Sequence, residues 1–185
     1  MTIYSIRKII KESIWLLTIC ILIEILAGQL LNSQEDIIEI PIILAALPLI
    51  NGIGGNLGSI LGARLTSGLH VGYLKPKYND KILLGNVLNI IILAVIVFSI
   101  LIGIMIVILP LTGVTISIPI FKFVIVIFCA GMIMTCLVVI LGITSAFIAF
   151  KRGIDPDNVV TPIITTSGDM LGISIVIILV LMIIV

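Results

Sequence analysis

Charged residues are scarce in this sequence. Lys, Arg, Asp and Glu together make up 10% of its 185 residues, whereas apolar residues make up 61%. A typical soluble domain carries about 25% charged residues, so this chain lacks the polar groups that would cover a water-exposed surface. The composition excludes an ordinary soluble fold and predicts an integral membrane protein with lipid as its solvent.

The sequence also lacks a basic excess and any soft-metal motif. Its formal net charge is +1, so no basic patch indicates nucleic acid as a partner. Cys20, Cys129 and Cys136 form no CxxC pair, and the nearest histidine, His70, is far away in sequence. This argues against zinc or copper. No DDxxD, HExxH or serine–histidine arrangement is present, so we predict neither an enzyme nor a bound cofactor.

Five apolar stretches are long enough to cross a bilayer, which takes about 20 residues as a helix. They cover residues 14–31, 41–66, 82–109, 120–150 and 162–185. The predicted fold is an all-α membrane protein with five transmembrane helices. The prediction assigns residues 1–185 to a single domain without a cytosolic sensor domain. The first stretch is interpreted as a retained span, because it is long for a signal peptide and contains Glu24.

Basic residues alternate with the spans, which predicts the orientation. They precede the first span, join the second to the third, and join the fourth to the fifth: Arg7, Lys8 and Lys11; Arg64, Lys75, Lys77 and Lys81; Lys151 and Arg152. The opposite side holds Glu35, Asp36, Glu39 and an uncharged loop over residues 111–117, and Lys122 is the exception. The positive-inside rule then predicts a multi-pass cell-membrane protein with a cytoplasmic N-terminus and an exterior C-terminus.

Charged residues inside spans are candidates for function, because a charge at mid-membrane costs at least about 2.5 kcal/mol. Asp169 lies in the fifth span, and Thr165, Thr166 and Gly172 share its helix face by spacing. This face is typical of the wall of an aqueous path. The alternative is a structural aspartate capped by the threonine hydroxyls. For Glu24 in the first span, a functional role and pairing with another span both stay open.

The second span contains glycines at regular spacing. Gly54, Gly58 and Gly62 recur every four residues, with Asn51 and Asn56 among them. Such a surface allows helix backbones to approach closely, and glycine also exposes carbonyl oxygens that can face a cation. Tight helix packing and a cation path are both open interpretations. Between the fourth and fifth spans, Asp155 and Asp157 indicate either a helix start or the mouth of a cation path.

Three segments of the sequence resemble the membrane domain of MgtE-type magnesium channels. They are residues 48–64, with Gly54-Gly55-Asn56-Leu57-Gly58 followed by Arg64; residues 153–157, Gly-Ile-Asp-Pro-Asp; and residues 162–172, from Pro162-Ile163-Ile164-Thr165-Thr166 to Asp169 and Gly172. Their order and the five-span layout agree with that family, so the resemblance covers nearly the whole chain.

The resemblance implies a homodimer with a pore lined by the second and fifth spans at the twofold interface. It implies that Asp169 selects the cation, that groups around Thr165 and Asn56 complete the site, and that Asp155 lies at the cytoplasmic mouth. With their neighbours included, the candidate cation ligands are Asp169, Thr165, Thr166, Asn56, Asn51 and Asp155.

The sequence departs from the family pattern in two respects. Ser59 and Ile60 stand where relatives commonly have Gln or another polar residue after the glycine motif. The paired sensor domains that close the pore in bacterial relatives are also absent from this sequence. The chain is therefore expected to gate differently, to use a separate cytosolic regulator, or not to gate.

The expected function is transport of a divalent cation, most simply Mg²⁺. Magnesium keeps several of its waters and is usually held by one or two carboxylates, which two copies of Asp169 would supply. Two alternatives stay open. One is a coupled carrier in which Asp169 or Glu24 takes up a proton, and the other is a non-transporting membrane subunit that uses the glycine surface to bind a partner.

Overall fold

A computed structural model describes residues 6–33, 40–108, 111 and 118–184, with side chains from residue 14 onward. Within these residues the chain forms five long α-helices: α1 (Ile6–Asn32), α2 (Pro41–Val71), α3 (Lys81–Ile108), α4 (Ile120–Lys151) and α5 (Val160–Ile183). A short 3-10 turn, Pro156–Asn158, precedes α5. Five helices are long and apolar enough to cross a membrane, which confirms the predicted all-helical, five-span fold.

Part of the orientation argument lies outside the described residues. This applies to the side chains of Arg7, Lys8 and Lys11, to the acidic loop with Glu35, Asp36 and Glu39, and to residues 112–117. The remaining basic clusters lie at one end of the bundle. Tyr78, in the α2–α3 connection, packs against Phe147 near the end of α4, with ring centroids 5.4 Å apart and ring planes tilted by 59°. That contact brings the cluster around Lys77 beside Lys151 and Arg152.

Several helix ends differ from the predicted spans, the largest difference being the start of α1 at Ile6 instead of residue 14. Two of the other differences have local causes. α2 continues to Val71, beyond the predicted end at residue 66. It stops where Gly72 adopts the left-handed conformation (φ 85°) and its N–H donates to the carbonyl of Gly68, as glycine permits without a steric cost. α5 begins at Val160, ahead of Pro162, because proline is tolerated in the first helical turn, where its missing N–H is not needed.

The start of α3 is fixed by a side-chain cap. The Asp80 carboxylate accepts a hydrogen bond from the backbone N–H of Ile82 at 2.8 Å. This bond holds the pKa of Asp80 below its usual value, since it stabilises the ionised form. The cap satisfies one of the N–H groups that a helix N-terminus leaves without a partner.

The centre of the molecule consists of α2, α4 and α5, which pack against one another. α3 packs on α4 and α2, and α1 packs mainly on α5. Lipid gives little hydrophobic drive for helices to associate, so close backbone approach through small residues has to stabilise the contacts. The outer surface of α1 is apolar and exposed, with Ile21, Leu22, Ile25 and Leu26 all more than half accessible. We interpret this surface as facing lipid.

Candidate functional site

Asp169 lies near the middle of α5, half-buried against α2. The side-chain amide of Asn51 donates a hydrogen bond to the backbone carbonyl of Asp169 at 3.3 Å and also interacts with its carboxylate. Asn51 can reach α5 because Gly172, one turn beyond Asp169, has no side chain. A Cβ at position 172 would collide with the Asn51 amide oxygen. The pairing thus depends on an amide in one helix and a glycine in another.

A second carboxylate reaches the same region from α1. The hydroxyl of Thr166, which is 3% exposed, donates to Oε1 of Glu24 at 3.3 Å. Glu24 is also close enough to Asp169 for the two negative charges to repel each other. Pairing of Glu24 with another span was an open possibility at the level of sequence, and Thr166 of α5 is its partner. The structure therefore joins Glu24, Thr166, Asp169 and Asn51 in one polar cluster.

This polar cluster borders a cavity between α1 and α5. The cavity has a volume of about 390 Å³, and its polar lining consists of Glu24, Thr161, Thr165 and Thr166. The other lining residues are apolar or weakly polar, including Cys20, whose thiol lies 3.8 Å from the carbonyl of Pro162. The cavity thus has oxygen atoms in its lining that could bind a cation or its waters.

The negative charge in the cluster has no basic counterpart in the described part of the chain. Arg64 uses its guanidinium to donate to Asn86 of α3 at 3.4 Å. Lys122 donates to the carbonyl of Ile184 at the end of α5 at 3.3 Å, where a cation also interacts well with the helix dipole. No basic side chain among the described residues pairs with Glu24 or Asp169.

The threonine hydroxyls do not cap Asp169, contrary to the alternative raised by the sequence. Thr165 donates to the carbonyls of Thr161 and Pro162 within its own helix, and Thr166 donates to Glu24. Their hydroxyl oxygens remain available as acceptors, since a hydroxyl donates one hydrogen bond and accepts others.

Two predicted site residues lie apart from the cluster within one chain. Asn56 is exposed on the outer face of α2, on a different side of the helix from Asn51, because five residues turn a helix by about 140°. Asp155 caps the 3-10 turn by accepting from the N–H of Asp157 at 3.1 Å, which agrees with the helix-start interpretation. It precedes the start of α5 at Val160, and the helix rises about 13 Å from there to Asp169.

The glycines of α2 divide into two surfaces. Added side chains at Gly54, Gly58 and Gly62 would meet Met134, Val138, Ile164 and Val160 of α4 and α5, so this row serves helix packing inside the chain. In contrast, a Cβ at Gly52 would meet nothing within 4 Å, and Gly52, Asn56 and Ala63 lie on an exposed face that also carries Ile60.

One family comparison matches most of the chain. The sequence model of a family described as "MgtE: Divalent cation transporter" matches residues 47–179. That segment contains α2 almost from its start, α3, α4 and nearly all of α5, and it includes Asn51, Asn56 and Asp169. Comparisons with curated proteins and with solved structures gave no match.

Proposed function

Because the chain belongs to the MgtE family of divalent cation transporters, as the match over residues 47–179 shows, we propose that it carries Mg²⁺ across the cell membrane through a homodimeric pore. This is a transporter family and not an enzyme family. The observation that carries the proposal is the cluster in which Asp169, Glu24 and Asn51 meet inside the membrane region without a basic partner among the described residues.

The ligand chemistry of the cluster favours magnesium. Its polar atoms are carboxylate, amide, hydroxyl and carbonyl oxygens, which suit hard cations, whereas soft thiolate and imidazole ligands are not grouped there. No group of three or more His, Cys, Asp or Glu side chains lies together in the described part of the chain. A cation that retains several waters needs only one or two carboxylates and uses neighbouring oxygens to bind those waters.

The dimeric arrangement is proposed from the exposed face of α2. Gly52, Asn56 and Ala63 lie on that face, where small residues allow close approach of a second helix. Thr165 of α5 is also exposed, and Gly55 of α2 lies beside it. A twofold axis next to these residues would bring two Asp169 carboxylates and two Asn56 amides to the same cation pore. Asp155 would then lie near the cytoplasmic mouth of that pore.

Glu24 has a specific role in this proposal. Two carboxylates that repel each other in a low-dielectric region are costly, and a divalent cation between or beside them offsets that cost. Asp169 and Asn51 form the inner part of the site, while Glu24 and Thr166 place a second charge at the α1–α5 cavity. Hydrated cations would exchange through that cavity.

The same carboxylate pair supports a second candidate, a proton-coupled carrier. Two adjacent acids inside a membrane can exchange a proton as well as bind a cation. Uptake by the purified protein in liposomes separates the two. A channel gives a flux that follows the membrane voltage, whereas a coupled carrier saturates and responds to an imposed pH gradient.

The decisive test of the site is Asp169→Asn. The amide keeps the size of the carboxylate but removes one charge per chain, so Mg²⁺ affinity and Mg²⁺ uptake into liposomes should fall by at least about tenfold, which corresponds to 1.4 kcal/mol. Asp169→Glu keeps the negative charge and should retain part of the affinity. The rest should be lost, because magnesium tolerates little departure from its octahedral geometry. Asp157→Asn is the matched control, since Asp157 is exposed and outside the cluster. Unchanged affinity in well-folded Asp169→Asn protein would remove Asp169 from the site.

The orientation is proposed as a cytoplasmic N-terminus and an exterior C-terminus. The positive-inside rule supports it, as does the position of Lys77 and Arg152 at the same end of the bundle. Reporter fusions at Lys77 and after Val185 should respond from opposite sides of the membrane. A response from the same side would contradict this orientation.

A further inference from the structure

A lateral groove opens between α1 and α4. α1 packs on α5 and has no extensive contact with α4, so α5 forms the floor of a gap between them. Near the end of α4, this gap is a cavity of about 310 Å³ lined by Trp15 and Leu16 of α1, Leu141 and Ile148 of α4, and Ile163 of α5. Its lining is mostly apolar, which suits a hydrocarbon chain better than water or an ion.

The groove extends toward the centre of the membrane. A second cavity of about 210 Å³ is lined by Ile23 of α1, Leu141 of α4 and Leu171 of α5, and Leu141 belongs to both. From Arg152 at one end, the eleven residues back to Leu141 span about 16 Å along a helix. The hydrocarbon core of a bilayer is about 30 Å thick, so the groove has roughly the depth of one leaflet.

The outer end of the groove carries a positive charge. Arg152 lines the first cavity and is exposed. Its side chain has no hydrogen-bond or ion-pair partner within the described residues. A guanidinium binds phosphate in a planar, two-pronged geometry, and basic pockets between transmembrane helices bind anionic lipid headgroups.

We propose that the α1–α4 groove is a binding site for one anionic phospholipid. One acyl chain fills the apolar groove from Trp15 to Leu171, and Arg152 binds the headgroup phosphate. The site is separate from the cation cluster. Ile163 faces the groove, whereas Thr161 and Thr165 line the cavity on the cation side of α5, and two residues turn a helix by about 200°. A lipid there would set the position of α1, and thereby of Glu24.

The test is native mass spectrometry of the purified full chain with added phosphatidylglycerol or phosphatidylcholine. The wild-type protein should bind phosphatidylglycerol about tenfold more tightly, because both lipids have a phosphate but only phosphatidylglycerol has a net negative charge, whereas the choline ammonium of phosphatidylcholine is repelled by Arg152. Arg152→Gln should lose this preference while still binding both lipids through the groove. Lys151→Gln is the matched control, because Lys151 is an adjacent exposed cation that does not line the cavity, and it should keep the preference.

A groove-filling variant tests the acyl chain separately. Thr144 lines the same cavity and is partly exposed, so Thr144→Trp should lower binding of both lipids, and Thr144→Leu serves if the larger residue does not fold. Equal binding of the two lipids by the wild-type protein would overturn the proposal. So would a preference that survives Arg152→Gln, or a Thr144 variant that changes dimerisation but not lipid binding. Mg²⁺ uptake plays no part in this readout, so its outcome is independent of the proposed transport function.

Discussion

At the scale of single residues, the close approach of Asn51 to Gly172 predicts how a substitution would disturb the proposed cation site. Gly172→Ala would place a methyl group against the Asn51 amide oxygen. The amide must then rotate away and lose its 3.3 Å hydrogen bond to the Asp169 carbonyl. A hydrogen bond of this kind contributes about 0.5–1.5 kcal/mol, so Mg²⁺ affinity should weaken roughly two- to tenfold. Isothermal titration of the purified protein measures this.

The control for that prediction is the double variant. Asn51→Ala removes the same hydrogen bond from the other side, so Asn51→Ala with Gly172→Ala should be no weaker than the worse single variant, since interacting residues are not additive. Full additivity would show that Gly172 acts through something other than Asn51. The Asn51 amide oxygen has no hydrogen-bond partner among the described residues, so rotation of the amide loses only the interactions of its NH₂ group with Asp169.

The charged residues of the polar cluster are evident from the sequence, but their partners are not. Asp169 and Glu24 stand out in any reading of the chain, because charges are rare in apolar spans. The partner of Glu24, however, is Thr166, which lies 142 positions further along the chain. Spacing along one helix assigns Thr166 to the face of Asp169, while its hydroxyl in fact points to α1. Contacts of this kind depend on the packing of helices, which a single sequence does not specify.

At the scale of helices, the packing of α2 depends on Gly58. A Cβ there would collide with Val138 of α4 and Ile164 of α5, which are 1% and 0% exposed and cannot move away easily. Overpacking of this kind costs about 1–3 kcal/mol, more than the roughly 1 kcal/mol that alanine gains over glycine in a helix. Gly58→Ala should therefore lower the thermal stability of the protein in detergent.

Gly85→Ala is the matched control for Gly58→Ala. Gly85 lies in α3, and an added Cβ would meet nothing within 4 Å, so only the gain in helix propensity remains and the melting temperature should stay equal or rise. Equal melting temperatures for both variants and the wild-type protein would contradict the packing role of Gly58. The four-residue repeat left helix packing and a cation path open, and the structure shows that Gly54, Gly58 and Gly62 pack against α4 and α5 of the same chain.

At the scale of the whole molecule, the five-span fold followed from five continuous apolar stretches of about 20 residues, because a helix of that length crosses the bilayer with its backbone hydrogen bonds satisfied. The family resemblance was likewise confirmed by the match over residues 47–179. Assembly, in contrast, does not follow from the fold of one chain. Asn56 lies outside the cluster around Asp169 in one chain, and a second copy is what would bring the two together.

Gly52 provides a direct test of that assembly. It is exposed on α2, and a Cβ there would meet nothing within 4 Å, so Gly52→Leu leaves the packing of the single chain unchanged. If the small face of α2 meets a partner, leucine blocks close approach, and the dimer fraction measured by native mass spectrometry should fall along with Mg²⁺ uptake. Gly85→Leu introduces the same side chain at another open position and should leave the dimer intact.

Dimers of Gly52→Leu that are as stable as the wild-type protein's would place the interface elsewhere. Monomers that still transport would show that one chain suffices, with Glu24 and Asp169 as its two carboxylates.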